Sequence, residues 1–310
     1  MFGPDETYRA SIQAARYRQW ITCPWRGEQS EAQELAGLLA AQAYDFLVVD
    51  DYRAGSDFQR ILAEAGARWL QFYAPNGEAI HADVALCSNP AARHDDLARR
   101  VCRPHCRLLV GLDYALLREE FVHIAPPRPR AGVQRLLLTF GGGDDRGLVW
   151  RILAELDCQE LAGTAITVIA GRGNPRNASN LRALTGIEHL DVNYRVQPEN
   201  VAALLEQADL AIMAGGTTTY EAARCGLPML LLSLAANQIE QSLAMQRMGF
   251  AHYLGRHEDI ESGALREHVL HLRETPGRLR AMSERAAAAV DGQGGSRVVD
   301  SILSFFAGHI

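Results

Sequence analysis

The chain reads as an α/β protein built from two Rossmann-like domains, each a parallel sheet covered by helices on both faces. Three observations carry that expectation. Short strands that are apolar throughout alternate with segments whose apolar residues recur at helical spacing, the pattern of parallel strands buried on both sides. The chain has 310 residues, enough for two cores of ordinary size. A proline-rich stretch, "HIAPPRPRAGVQ" (123–134), interrupts the pattern where regular structure cannot continue. The domains are therefore expected at 1–125 and 135–310, with 126–134 as a linker between them.

The elements follow in order. In the first half, "DFLVVDDY" (45–52), "RWLQFY" with its core at 69–73, "ADVALCS" (82–88) and "RLLVGLDY" (107–114) are the strand candidates. In the second half they are "QRLLLTFGGG" (134–143), "AITVIAGRG" (165–173), "IEHLDV" (187–192), "ADLAIMAGG" (208–216) and "LPMLLLS" (227–233). Between them, "SEAQELAGLLAA" (30–41), "GLVWRILAELD" (147–157), "NVAALLEQA" (200–208) and the segment around 242–248 place apolar residues at helical spacing.

Composition narrows the chemistry. Hydrophobic residues make up 48% and charged residues 22%, ordinary for a globular protein, and the net charge of −6 draws the chain to neither nucleic acid nor anionic lipid. All 31 basic residues are arginine, which excludes a Schiff-base lysine and the phosphate-binding lysine of a P-loop. The longest apolar runs, such as "MLLLSLAA" (229–236), are too short to span a bilayer, and no signal-peptide pattern is visible at the N-terminus. A cytoplasmic chain without stable membrane insertion, a monomer or weak homodimer, is expected. Six cysteines are scattered, and "CRPHC" (102–106) is the only cluster with metal-like spacing. Zinc takes about four ligands, usually as two pairs, and no second pair exists; no metal and no cofactor is expected.

In doubly wound sheets ligands bind beyond the carboxyl ends of the strands, so the loops there carry the functional reading. "TFGGGDD" (139–145) presents Gly141, Gly142 and Gly143, whose backbone N–H groups can approach a ligand closely. The loop "IAGRGNP" (169–175) is a weaker candidate, and "MAGGTTTYE" (213–221) is the strongest. Gly215 and Gly216 there precede Thr217 and Thr218, either of which can cap the following helix, whose free N–H groups face an anion. Gly226 and Pro228 stop that helix. A capped surface helix accounts for the threonines alone. It does not account for Glu221, a carboxylate suited to sugar hydroxyls, or for the polar "AANQ" (235–238) with Asn237 and Gln238 at the next loop. Together these residues read as a nucleotide site.

Here the residues resemble a known family. "AGGTTTYEAARCGLPMLLLSLAANQ" (214–238) is similar to the nucleotide-binding segment of GT-B proteins of the MurG type. It most resembles the PseG/SpsG-like UDP-sugar hydrolases of pseudaminic acid synthesis. "LVVDDY" (47–52), "CRLLVGLDYALLREEF" (106–121), "LLLTFGGGD" (136–144), "NVAALLEQADLAIMAGGTT" (200–218) and "DGQGGSRVVDSI" (291–302) resemble further motifs of that family, in its order, from about residue 45 to the C-terminus. The resemblance implies a GT-B-like fold with the two parallel sheets facing a central cleft. It also implies a metal-independent enzyme that cleaves the anomeric C–O bond of UDP-2,4-diacetamido-2,4,6-trideoxy-β-L-altropyranose or a related UDP-sugar. By position, Glu221 would hold the ribose hydroxyls and Gly216 and Thr217 would meet the diphosphate. Asn237 would sit beside the sugar and the attacking water, and Gly141 to Gly143 would lie near the phosphates.

The N-terminus departs from the family. The usual first strand and its Gly-x-Gly-His-x-x-Arg loop are missing, and an ungapped alignment sets Gly3 and Arg9 on the glycine and arginine but Glu6 on the acid–base histidine. Either the start lies upstream in a diverged enzyme, or the catalytic loop has been lost. Glu6 is accordingly both the candidate acid–base residue and, on the plainer reading, an exposed acid in the first turn of a helix. Three functions remain open: a UDP-sugar hydrolase, a GT-B glycosyltransferase using a UDP-sugar donor, and a catalytically weakened nucleotide-sugar-binding protein of a surface-glycan pathway. For a transferase, "YRQWITCPWR" (17–26) is the only stretch with the basic and aromatic character of an acceptor surface.

Overall fold

A computed structural model describes residues 27–307, apart from 43–44, 52, 76, 126–127, 129 and 131. Two sheets form. The first has four strands in the order β1-β2-β3-β4, with β1 Leu47–Val49, β2 Trp69–Phe72, β3 Val84–Cys87 and β4 Arg107–Val110. β1 runs parallel to β2, and β3 parallel to β4. β3 is buried at every position, as its unbroken apolar run requires. The "CRPHC" segment is the turn that leads into β4, and its Arg103 pairs with Asp83 at 2.7 Å while lying 5.2 Å over the Trp69 ring.

The second sheet has six parallel strands in the order β10-β9-β8-β5-β6-β7. They are β5 Arg135–Thr139, β6 Ala165–Ala170, β7 Asp191–Val196, β8 Leu210–Ala214, β9 Met229–Ser233 and β10 Ala251–Arg256. Counted from β5 as the first strand, this is the 3-2-1-4-5-6 order of a doubly wound nucleotide-binding fold. Two cores, one per face, explain why the central strands are apolar throughout. Leu136, Leu138, Ile212, Leu230 and Leu232 pack with the helices Leu148–Leu156 and Ala264–Glu274. Leu137, Ala211, Met213, Met229 and Leu231 pack on the other face with Leu205, Tyr220 and Met245.

The two edges differ from expectation. β7 starts at Asp191, four residues after Ile187, because Ile187 and Leu190 pack against the core as partly buried residues and pairing to β6 begins at Asp191. β10 was not foreseen; its "AHYLGR" is only partly buried beyond Ala251, so it lacks the continuous apolar signal of the inner strands. Weak patterning of this kind is common at sheet edges.

Two arginines of the proline-rich stretch, Arg128 and Arg130, are anchored by hydrogen bonds to the rest of the chain. Arg128 donates to the carbonyls of Glu206, Gln207 and Ala208 and pairs with Asp209. Arg130, buried, donates to Ser283 Oγ and the Cys225 carbonyl, and burial pushes its guanidinium down to about 10. Asp209 is the anchor: its Oδ2 accepts the backbone N–H groups of Gln134 and Arg135 at 3.0 and 2.8 Å, fixing the entry into β5. No helix among the described residues is long and apolar enough to cross a membrane.

Asp209→Ala removes the acceptor of two backbone N–H groups and the counter-ion of Arg128. It should destabilise the protein by roughly 2–4 kcal/mol in urea unfolding. A loss below about 0.5 kcal/mol would show that the anchor contributes nothing.

Candidate functional site

The strand order marks where a candidate site would lie. β5 and β8 are neighbours at the point where the chain turns from winding one way to winding the other, and in folds of this order ligands bind beyond the carboxyl ends of two such strands. Thr139 pairs with Met213 in register, so the loops that follow, beginning at Gly141 and Gly215, leave from adjacent strand ends.

At the β8 loop, Gly215 is there for packing. A Cβ on it would fall 2.2 Å from Ser242 Oγ and 3.1 Å from the Gln238 carbonyl. Gly216 is the more open of the two, since its Cβ would meet only Gln238 Nε2, at 4.0 Å. Thr217 stands at the N-cap of the helix Thr218–Arg224 with helical φ and ψ of −63° and −26°, and its side chain makes no cap hydrogen bond. The expected cap is not made at Thr217; Thr219 Oγ1 instead donates to the Gly216 carbonyl at 2.6 Å, which satisfies an acceptor and not a helix N–H. Thr217 is exposed and Thr218 half-buried, so their hydroxyls are not consumed by the turn. Gly226, at φ +60°, ends the helix as expected.

Behind the loop stands Gln241, which the sequence reading did not single out. Its Nε2 donates to the carbonyls of Gly215 and Gly216 at 3.0 and 3.1 Å, and its Oε1 accepts from Tyr220 Oη at 2.9 Å. These bonds fix the glycine carbonyls inward. Gln238 closes the neighbouring turn by accepting the Leu234 N–H at 2.9 Å, while Asn237, in the 3-10 turn Ala236–Gln238, is exposed. Gln238 lies beside Gly215 and Gly216, since a Cβ on the first would be 3.1 Å from its carbonyl and one on the second 4.0 Å from its Nε2.

The β5 loop is exposed from Gly141 to Gly143, with Gly141 at φ +86°, a left-handed conformation that suits glycine. It rests on the "IAGRGNP" loop, where a Cβ on Gly171 would sit 2.3 Å from Gly142 Cα. Asp145, buried, locks the two together: its Oδ2 accepts from Asn174 and Asn180 at 2.8 and 2.7 Å, and its Oδ1 accepts the Gly147 N–H at 2.7 Å. Asp144, exposed, is held below the usual carboxylate range by the Arg146 N–H and by Arg176. The "IAGRGNP" loop therefore supports the "TFGGGDD" loop from below.

Glu221 is nearly buried, with 11% of its side chain exposed, and it is engaged by a residue from a distant part of the chain. Arg118 Nε donates to its Oε1 at 2.7 Å and Nη2 to its Oε2 at 2.9 Å. Arg118 Nη1 also contacts Glu120 Oε1 at 2.8 Å, and its guanidinium lies 5.1 Å over the Phe121 ring. The Glu221 carboxylate raises the Arg118 guanidinium above its ordinary value. The segment around Arg118 is fastened further by Arg224, which donates to the Val122 and Ile124 carbonyls, and by Arg297, which donates to the Asp113 carbonyl at 2.9 Å. Gly294 packs against Ala115 so closely that a Cβ would lie 2.2 Å from its carbonyl oxygen. Cys225, buried beneath the helix, has its thiol pushed up to about 12 by burial and is no nucleophile at neutral pH. Glu6, with Gly3, Arg9 and the 17–26 stretch, lies outside the described residues.

No protein-family model matches the chain. Its sequence is 24% identical over 266 residues to the spore coat polysaccharide biosynthesis protein SpsG of Bacillus subtilis, covering 84% of this chain and 76% of that protein. It is 27% identical over 192 residues to the UDP-2,4-diacetamido-2,4,6-trideoxy-β-L-altropyranose hydrolase of Campylobacter jejuni, covering 61% of this chain and 66% of the relative. The chain is SpsG- and PseG-like in sequence. In structure it resembles MurG of Acinetobacter baumannii, with a TM-score of 0.65 at 15% identity over 97% of this chain and 89% of that one. It also resembles the calicheamicin glycosyltransferase CalG4, with a TM-score of 0.58 at 14% identity over 99% of this chain and 82% of that one. The two parallel sheets and these neighbours make the fold GT-B-like, as the motifs implied.

Gly215→Ala should cost about 1–3 kcal/mol of stability by forcing a methyl group onto Ser242 Oγ. Part of that loss should return in the Gly215→Ala/Ser242→Ala double variant, where the obstructing oxygen is gone. Unfolding curves of the two variants decide the matter: equal stabilities would mean that the hydroxyl is not what Gly215 accommodates.

Proposed function

We propose that the chain hydrolyses a UDP-linked diacetamido-trideoxy sugar, releasing UDP and the free sugar in the making of a nonulosonic, pseudaminic-type glycan component. The observation that carries this reading is the convergence, at the switch point of a doubly wound sheet, of two glycine loops with an exposed amide and a nearly buried carboxylate. The similarity to a relative named as a hydrolase of such a UDP-sugar supports the choice of reaction.

On this reading Glu221 takes the ribose hydroxyls, with Gln238 beside the nucleotide. The diphosphate lies against Gly215, Gly216, Thr217 and Thr218, with Gly141 and Gly142 on its other side. The helix Thr218–Arg224 has only about two turns, so its dipole is small; the stabilising groups are its first-turn N–H groups and the two threonine hydroxyls. A water oxygen attacks the anomeric carbon, the bond from that carbon to the β-phosphate oxygen breaks, and its electron pair leaves with UDP. Fixed N–H and O–H donors lower the barrier because they meet negative charge as it develops. Asn237 orients the water and the sugar, and the water's proton passes to a general base, for which Glu6 is the candidate.

A panel of UDP-amino-sugars, incubated with and without candidate acceptors, tests the reading. UDP and an equal amount of free reducing sugar should appear without acceptor, and Glu221→Ala should weaken UDP binding by about 10- to 150-fold. UDP release only when an acceptor is present would make the protein a transferase instead. Tight UDP binding with no release from any sugar would make it a binding protein.

A further inference from the structure

We infer that Arg118 is a positioning residue of the nucleotide site, which sets the Glu221 carboxylate for the two ribose hydroxyls; the inference rests on the nucleotide reading above. A carboxylate offers about four acceptor positions. The Arg118 fork uses one on each oxygen, at 2.7 and 2.9 Å, which leaves one on each oxygen for one hydroxyl apiece. A bidentate guanidinium fixes the plane of the carboxylate as well as its charge, and a neighbouring pair of hydroxyls needs both.

Arg118 is itself held from three sides. Its third nitrogen meets Glu120 Oε1 at 2.8 Å, and Glu120 Oε2 in turn accepts the Ala202 N–H at 3.2 Å, at the start of the helix Val201–Gln207. Beneath it lies the Phe121 ring, and Phe121 is buried in the same core as Tyr220, the residue before Glu221. The carboxylate is thus aimed by a chain of contacts that begins in the core. With about half its side chain exposed against 11% for Glu221, Arg118 is the open member of the pair and the one that can be altered with less damage to packing.

Lysine cannot replace this arrangement. Its ammonium is a compact point charge that restores attraction without fixing the plane.

The test measures affinity for UDP and for 2′-deoxy-UDP, which lacks one hydroxyl, in the wild type, Arg118→Met, Arg118→Lys, Glu221→Gln and the Arg118→Met/Glu221→Gln double variant, with thermal melts as the control for folding. The wild type should prefer UDP by about tenfold or more. That preference should collapse toward one in Arg118→Met and in Glu221→Gln, stay intermediate in Arg118→Lys, and fall no further in the double variant. A purely structural Arg118 would lower both affinities together and leave the preference unchanged, and that result would overturn the inference, as would tighter UDP binding by Arg118→Met. If Arg118→Met does not fold, the preference of Arg118→Lys decides: a wild-type value counts against the inference, a reduced one for it. Failure of the wild type to bind UDP at all would overturn the nucleotide reading itself, an outcome separate from either result for Arg118.

Discussion

Two stretches of chain 103 residues apart meet in the guanidinium–carboxylate fork of Arg118 and Glu221, and the organisation around the site follows from it. A charged carboxylate with so little exposure is stable only when it is paired and hydrogen-bonded. The residues after β4 must therefore lie against the helix Thr218–Arg224. Arg224, Arg297 and the close approach of Gly294 to Ala115 hold the same segment in place. Three motifs that look unrelated along the sequence, around residues 106–121, 213–221 and 291–302, are neighbours for this reason.

The glycines of the site divide by physical task. Gly215 and Gly171 are small because something packs against them, a serine hydroxyl in one case and the Gly142 backbone in the other. Gly141 is glycine because its backbone is left-handed. Gly142, Gly143 and Gly216 have open space around the position of a side chain or nearly so, and these are the places where a ligand's oxygens can come close to main-chain N–H groups. The rigidity needed for that is supplied from behind, by Gln241 under one loop and by Asp145 with its two asparagines under the other. A loop held in this way would lose little freedom on binding an anion, and donors already in position are what stabilise developing charge most effectively.

Much of this was legible in the sequence because it is written in local patterns. Continuous apolar runs gave the inner strands, Gly226 and Pro228 gave the end of the helix, and glycines after strands gave the loops. The edge strands β7 and β10 were misjudged or missed because an edge carries only half an apolar signal. Thr217 has helical backbone angles and makes no cap bond, and it is Thr219 that bonds the Gly216 carbonyl. The Arg118–Glu221 pair, the Asp145 network and the anchoring of Arg128 on Asp209 join residues far apart in sequence. No periodicity or spacing encodes such contacts; the resemblance singled out the motifs containing Arg118 and Glu221 without indicating that they touch.

The central claim is that a nucleoside diphosphate sits where the β5 and β8 loops leave the sheet. Hydrogen exchange of the full chain with and without saturating UDP measures this most directly. The account predicts slowed exchange in peptides covering 140–144, 215–221 and 234–241, with the rest of the second sheet unchanged. Protection confined to other segments, or none in these three at saturation, would contradict it.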